Sequence, residues 1–282
     1  MLGVAMGDLK IRQTKNHGYS EAIEKLRCIG AMGLLREMVH RTIGERPVVG
    51  FARYRNRLVN AKGLEIGGPS RVFSEKSILP VYDVARTIDN CNFSNLTVWE
   101  GAIQEGQTYQ FSKDKTGLQF ICEGAELNFL QNGSYDFVLS SHVVEHMGNP
   151  LKALYEWKRV LKNHGLLILC APDKDMTFDH RRQTTSLDHL IEDYRKSTNE
   201  HDLSHLPEIL ELHDLSMDPG AGTREEFVER SRRNCENRCL HHHVFTEESL
   251  VKAVSYVGFN VQMITLHPPH HIVVICEKVE NP

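Results

Sequence analysis

The 282-residue sequence predicts an α/β domain built on a mainly parallel sheet with crossover helices. Three observations predict it. A short apolar strand, Leu64-Glu65-Ile66, breaks into a Gly67-Gly68-Pro69-Ser70 turn. Apolar runs at Phe137–Ser140 and Leu166–Ala171 bracket one well-marked helix, the strand–helix–strand rhythm of parallel pairing. Hydrophobic residues make up 40% and charged ones 25% of the chain, enough to bury a sizeable core.

Taken in order, residues 20 to 40 carry Ala22, Leu26, Ile29, Met32, Leu35 and Val39 at spacings of three and four, which predicts an N-terminal helical segment within residues 1–60. Strand candidates follow at Arg86–Asp89, Leu96–Glu100 and Gln119–Cys122. In the helix between the two later strands, Asn149 is the cap and Pro150 suits the first turn. Leu151, Leu154, Tyr155 and Leu161 form its inner face, and Asn163-His164-Gly165 ends it. Residues 61–172 thus form a core region. Residues 173–240 break the rhythm with 16 acidic against 10 basic side chains and read as an inserted cap. Residues 241–282 restore it: Thr246 caps a helix to Val257, and two strands, Asn260–Thr265 and Ile272–Glu277, close the sheet.

Charge and cysteine usage bound the partners. The net charge of -4 and pI near 6.5 lack the positive field that a phosphate backbone requires, so no nucleic-acid partner is expected. Apolar runs are too short to span a bilayer, and Met1–Gly7 lacks a basic lead, so neither membrane partner nor secretory signal is expected. Seven scattered cysteines suit reduced thiols and a cytoplasmic location. Histidine stands out, with eleven of 16 between His180 and His271.

A glycine turn after the first strand lets backbone approach a ligand, and an acid some twenty residues on can accept ribose hydroxyls; Asp89 and Glu100 are the candidates. Glu65-Ile66-Gly67-Gly68 resembles the first motif of the class I S-adenosylmethionine-dependent methyltransferases. Tyr135 to His146, followed by Asn149-Pro150, Glu156, Arg159-Val160-Leu161-Lys162 and Gly165-Leu166-Leu167, resembles the fourth strand, crossover helix and fifth strand of that family over about forty positions. Pro172-Asp173-Lys174 and Thr177-Phe178-Asp179-His180 resemble a bacterial subgroup often associated with glycan or specialised-metabolite modification.

The resemblance implies a Rossmann-like sheet of seven strands, mainly parallel, with helices on both faces, and S-adenosylmethionine as cofactor. It implies Glu65, Gly67 and Gly68 at the cofactor turn, Asp89 before Glu100 as ribose acceptor, Glu123, Gly124 and Ala125 on the adenine side, and Ser140 to His142 along the cofactor. A hydroxyl acceptor benefits from a base, and His142, Asp173 and His180 are the candidates, with His243 a further one. The expected acceptor is a small polar molecule such as a sugar or specialised metabolite, held under the cap, with O-methylation favoured over N-methylation.

Other readings use the same residues. His142-x-x-Glu145-His146 spells the inverted zinc-peptidase motif, which would make a zinc hydrolase; only a turn separates it from Asn149, so the ligand-bearing helix is missing, and Glu145 and His146 read as bracing the loop. Cys235, Cys239 and His241 to His243 have permissive metal-ligand spacing, yet no metal is expected. A noncatalytic cofactor-binding protein of the same fold is the alternative from another class.

Overall fold

The computed structural model describes residues 45–279; the helix expected at residues 20 to 40 lies outside them. An eight-stranded sheet forms the body. Its strands are β1 (Lys62–Ile66), β2 (Thr87–Asn92), β5 (Gly106–Ser112), β6 (Lys115–Ile121), β7 (Tyr135–Ser141), β8 (Leu161–Pro172), β9 (Phe259–His267) and β10 (His271–Lys278). The order is β5-β6-β2-β1-β7-β8-β10-β9. Strands β6, β2, β1, β7 and β8 run parallel, whereas β10 is antiparallel to both its neighbours and β5 is antiparallel to β6.

Two expectations need correcting. The eighth strand is β5, an edge strand whose alternating Tyr109 and Phe111 point inward and whose hairpin turn to β6 is short. Leu96–Glu100 is not a sheet strand: only β3 (Leu96–Thr97) is extended there, in a hairpin with β4 (Gly101–Ala102) outside the main sheet.

The central strands are apolar on both faces, as parallel strands covered on both sides must be. In β8, Leu167, Leu169 and Ala171 face one core while Leu166, Ile168 and Cys170 face the other. Gly63 in β1 makes this possible, because a Cβ there would lie 2.1 Å from the Phe137 ring.

The first core is closed by two helices. Helix α2 (Pro150–Val160) is capped by Asn149, which accepts from the Lys152 amide at 3.0 Å, and buries Leu151, Leu154, Trp157 and Val160. Leu161, expected on that helix, already belongs to β8. Helix α7 (Glu247–Tyr256) is capped by Thr246 and buries Leu250, Ala253 and Val254.

The opposite face carries no long helix among the described residues. It is covered by one-turn pieces, α1 (Ala52–Arg55) and 3-10 turns at Asn56–Leu58 and Arg71–Phe73, with Val48, Phe51, Tyr54, Leu79 and Tyr82 packed on the sheet.

Between β8 and α7 come α3 (Leu187–Lys196), α4 (Leu206–Leu212), α5 (Arg224–Arg232) and α6 (Asn234–Asn237). Ile209, Ala221, Phe227 and Leu240 form a small core of their own there, while Leu190 of α3 joins the main core. Among the described residues no helix is long and apolar enough to cross a membrane.

Candidate active site

The C-terminal ends of β1, β2, β6 and β7 meet at a cavity of about 480 Å³. Open α/β sheets bind ligands at these ends. Ile66 and Gly67 line it from β1, Asn92 and Phe93 from β2, Glu123 and Gly124 from β6, and Ser141 and His142 from β7. Gly67 takes φ +79°, and a Cβ there would press to 2.7 Å of Val143 Cγ2, so the turn requires glycine. The turn leads into a single 3-10 turn, so no helix N-terminus follows it.

Several expected residues sit elsewhere. Glu65 lies beneath the turn, where it accepts from the Ser70 amide at 2.9 Å, from Tyr82 Oη at 2.8 Å and from Tyr109 Oη at 2.5 Å. Gly68 packs on that carboxylate, and its carbonyl accepts from the Asn90 and Asn92 side chains. Asp89 is buried mid-strand, 2.9 Å from Tyr135 Oη and 3.0 Å from Lys62 Nζ, and does not line the cavity. The strand runs three residues further than Arg86–Asp89 suggests, which puts Asn92 at its end. Ala125 and Ser140 are buried off the cavity wall. Of the two ribose candidates, only Glu100 lines the cavity, and burial raises its carboxyl.

Glu65 carries a testable consequence. Burial pushes its carboxyl up to about 7, against the hydrogen bonds from Tyr109, Tyr82 and Ser70. The folded state therefore keeps a proton that the unfolded chain releases near its ordinary value, so this group's contribution is complete below that value and is lost as pH rises through about 7. The shift is worth roughly 3 kcal/mol. Urea denaturation at pH 5 and pH 8 should show the wild type losing roughly 2–3 kcal/mol more than Glu65→Gln over that interval. Equal pH dependence of the two would contradict the assignment.

Of the expected bases, only His142 reaches the cavity. It has φ +53°, a left-handed conformation that non-glycine residues adopt mainly at constrained sites. Its Nε2 is 2.8 Å from His271 Nδ1, and burial, aided by His271 and His270, holds it well below the usual histidine range. Asp173 instead caps the 3-10 turn at Lys174–Met176 and points away. His180 is turned to Asp214, 3.0 Å from Nε2, outside the cavity lining. His243 is buried against Met147 and Asp193.

Sequence reasoning assigned Glu145 to loop bracing, yet it lines the cavity. It is 1% exposed, and neither carboxylate oxygen has a hydrogen-bond partner. His142 Nδ1 lies 3.6 Å and His146 Nε2 3.9 Å from its Oε1. Burial pushes this carboxyl up to about 7, opposed by the charge of His241. His241 faces the same space, its Nδ1 2.5 Å from Asp179 Oδ2. Asp179 is itself held down to about 2, because His241 and Arg182 outweigh its burial. The segment between β8 and α7 supplies Met176, Phe178, Glu200, Met217 and Arg238 to the opposite wall. Arg238 pairs with Glu123 and, at 3.3 Å, with Glu200, which ties this segment to the end of β6.

The zinc-peptidase reading fails on shape, since Val144–His146 is a single 3-10 turn and not a ligand-bearing helix. Cys235 and Cys239 do not converge with the histidines beyond them: Cys235 Sγ meets His201 Nδ1 at 3.2 Å, while Cys239 Sγ meets the Asn237 carbonyl.

Residues 82–169 match the family model described as a methyltransferase domain. This stretch, from β2 into β8, is therefore a methyltransferase domain, whose cofactor is S-adenosylmethionine. No curated protein matches the sequence. Three solved structures are similar to it. A SAM-dependent methyltransferase from Methanosarcina mazei is 16% identical, covering 84% of this chain and 100% of its own, with TM-score 0.46. One from Aquifex aeolicus is 12% identical over 81% and 87%, TM-score 0.43, and one from Mesorhizobium loti is 10% identical over 80% and 95%, TM-score 0.45.

The wall chemistry fits that cofactor. Glu100 and Glu123 place carboxylates on the wall, the Gly67 turn admits close backbone approach, and Ile66, Phe93, Val143 and Met147 give apolar surface. Its volume lies in the range of small-molecule sites.

Proposed function

We propose that the enzyme methylates a hydroxyl group of a small polar acceptor, a sugar or specialised metabolite, with Glu145 receiving the hydroxyl proton. One observation carries this reading: Glu145 is a buried carboxylate on the cavity wall with neither oxygen hydrogen-bonded. Bound cofactor supplies an electrophilic methyl on a positive sulfonium. A neutral hydroxyl is a poor nucleophile, so a carboxylate within reach of its proton raises the rate, whereas an amine needs only to arrive unprotonated. His142, fixed by His271 and beside Glu145, orients that carboxylate and the acceptor. Asn92, Glu100, Glu123 and Gly124 hold the adenosine part, and Gly67 the remainder.

The covering segment, residues 173–240, takes the acceptor. It contributes Phe178 and Met217 as apolar walls and Glu200 and Arg238 as polar groups, and it closes the reacting centre from water. Orientation and water exclusion are the chain's main work, because the methyl is already activated. The test is a mass-spectrometric screen of sugars, hydroxylated metabolites and matched amines with methyl-labelled S-adenosylmethionine. Label on a hydroxyl oxygen is the expected result, and label only on nitrogen would refute it.

A further inference from the structure

The covering segment meets the body of the fold at a cluster outside the cavity lining, behind Glu145 and Met147. His189 and Asp193 stand one turn apart on α3, His205 immediately precedes α4, and His243 leads toward α7. Their reactive atoms converge. His189 Nε2 is 3.0 Å from His205 Nε2 and 3.2 Å from Asp193 Oδ2, and His243 Nε2 is 3.0 Å from that same Oδ2.

Protons alone satisfy this arrangement badly. The Met147 carbonyl can only accept, so His243 spends its donor at Nδ1, 3.0 Å away, and the neutral ring then aims a lone pair at a carboxylate. His189 has one Nε2 proton to divide between His205 and Asp193. A cation among the three histidines, whose ligand atoms lie within 4.8 Å of one another, would take their lone pairs.

We propose that His189, His205 and His243, with Asp193 beside two of them, bind a divalent transition metal, zinc above all, as a structural site. Nitrogen and carboxylate donors suit zinc, and ligands at 2.0–2.1 Å in a tetrahedron stand roughly 3.3 Å apart. The observed edges of 3.0 and 3.2 Å are close to that. Outer partners are in place as well: the Met147 carbonyl fixes the His243 ring, and Thr198 Oγ1 donates to Asp193 Oδ1 at 3.0 Å. An ion shared by these histidines pins the segment carrying α3 and α4 to the core and steadies His241, two residues before His243. It departs from the sequence expectation of no metal.

A rival location exists. Glu145, His146 and His241 also lie within 4.8 Å of one another, but the His146–Glu145 edge is 3.9 Å against 3.0 Å for His189–His205.

The test is elemental analysis of tag-free protein, as purified and after stripping and reloading with zinc chloride alone. One zinc per chain is expected in the wild type and in His146→Ala. His189→Ala and His205→Ala should bind zinc more weakly by more than the 10–100-fold that loss of an outer partner alone causes. Zinc chloride at about a hundredfold excess over its Kd should raise the melting temperature of the stripped wild type by roughly 5–10 °C. No zinc after reloading, undiminished zinc in His205→Ala, or loss in His146→Ala alone would each overturn the proposal. Should the variants not fold, cobalt chloride added to stripped wild type decides: intense visible bands of a four-coordinate ion support the site, and their absence overturns it.

Discussion

Glu145→Gln is expected to lower methyl transfer by roughly 10²–10⁴-fold, the loss typical of removing a general base. The amide keeps the size and shape of the side chain but accepts no proton. Because neither oxygen of the buried Glu145 is hydrogen-bonded and its histidine neighbours stand at 3.6 and 3.9 Å, the substitution should cost little stability. S-adenosylhomocysteine affinity should stay within about a factor of three, under 1 kcal/mol. The measurement is a steady-state assay with the acceptor found by the screen, paired with product-analogue binding. Unchanged turnover would remove Glu145 from the chemistry, and equal loss of turnover and affinity would make it part of the cofactor pocket.

The largest expected effect on stability is at Trp157. Its side chain is fully buried in the core between α2 and the sheet, and its Nε1 donates to the Gly124 carbonyl at 2.9 Å. Truncation to alanine opens a large cavity and leaves that carbonyl without its partner. A loss of roughly 3–5 kcal/mol is expected, a large part of the 5–15 kcal/mol that holds a typical domain together. Trp157→Phe keeps most of the volume and isolates the hydrogen bond, which should cost about 1–3 kcal/mol. Since Gly124 lines the cavity, the phenylalanine variant should also bind S-adenosylhomocysteine more weakly. Denaturant titrations of both variants provide the check, and a loss below about 1 kcal/mol for Trp157→Ala would contradict this packing.

The elements legible in the sequence are those whose local signals agree with their tertiary setting. Asn149-Pro150 capped α2, Thr246 capped α7, and the apolar runs of β7 and β8 told of strands covered on both faces. Signals failed where a short polar stretch was folded by its partners. Strand β5 alternates Tyr109 and Phe111 with polar neighbours, but a single such run beside Gly106 is easily passed over. The family resemblance puts Asp89 at the end of β2; Lys62 and Tyr135, distant in sequence, stabilise it inside instead.

At the site, the turn and the acid spacing marked Gly67 and Glu100, and the family resemblance marked Glu123, Gly124 and His142, all of which line the cavity. It could not separate His142 from Asp173 and His180, all beside strand or cap boundaries. Glu145 was assigned to the loop because nothing in one dimension tells which side of a 3-10 turn faces a cavity. The helical i, i+4 pair His189 and Asp193 was a readable hint of shared geometry, but their convergence with His205 and His243 depends on how α3 and α4 are placed.

The account rests on S-adenosylmethionine binding at the ends of β1, β2, β6 and β7, with Glu100 and not Asp89 reaching it. Calorimetric titration of S-adenosylhomocysteine into wild type, Glu100→Ala and Asp89→Asn tests this most directly. The wild type should bind one molecule per chain, Glu100→Ala should bind roughly 10–100-fold more weakly through loss of charge-assisted hydrogen bonds, and Asp89→Asn should remain within about threefold of wild type. Wild-type affinity in Glu100→Ala together with lost affinity in a folded Asp89→Asn would contradict it.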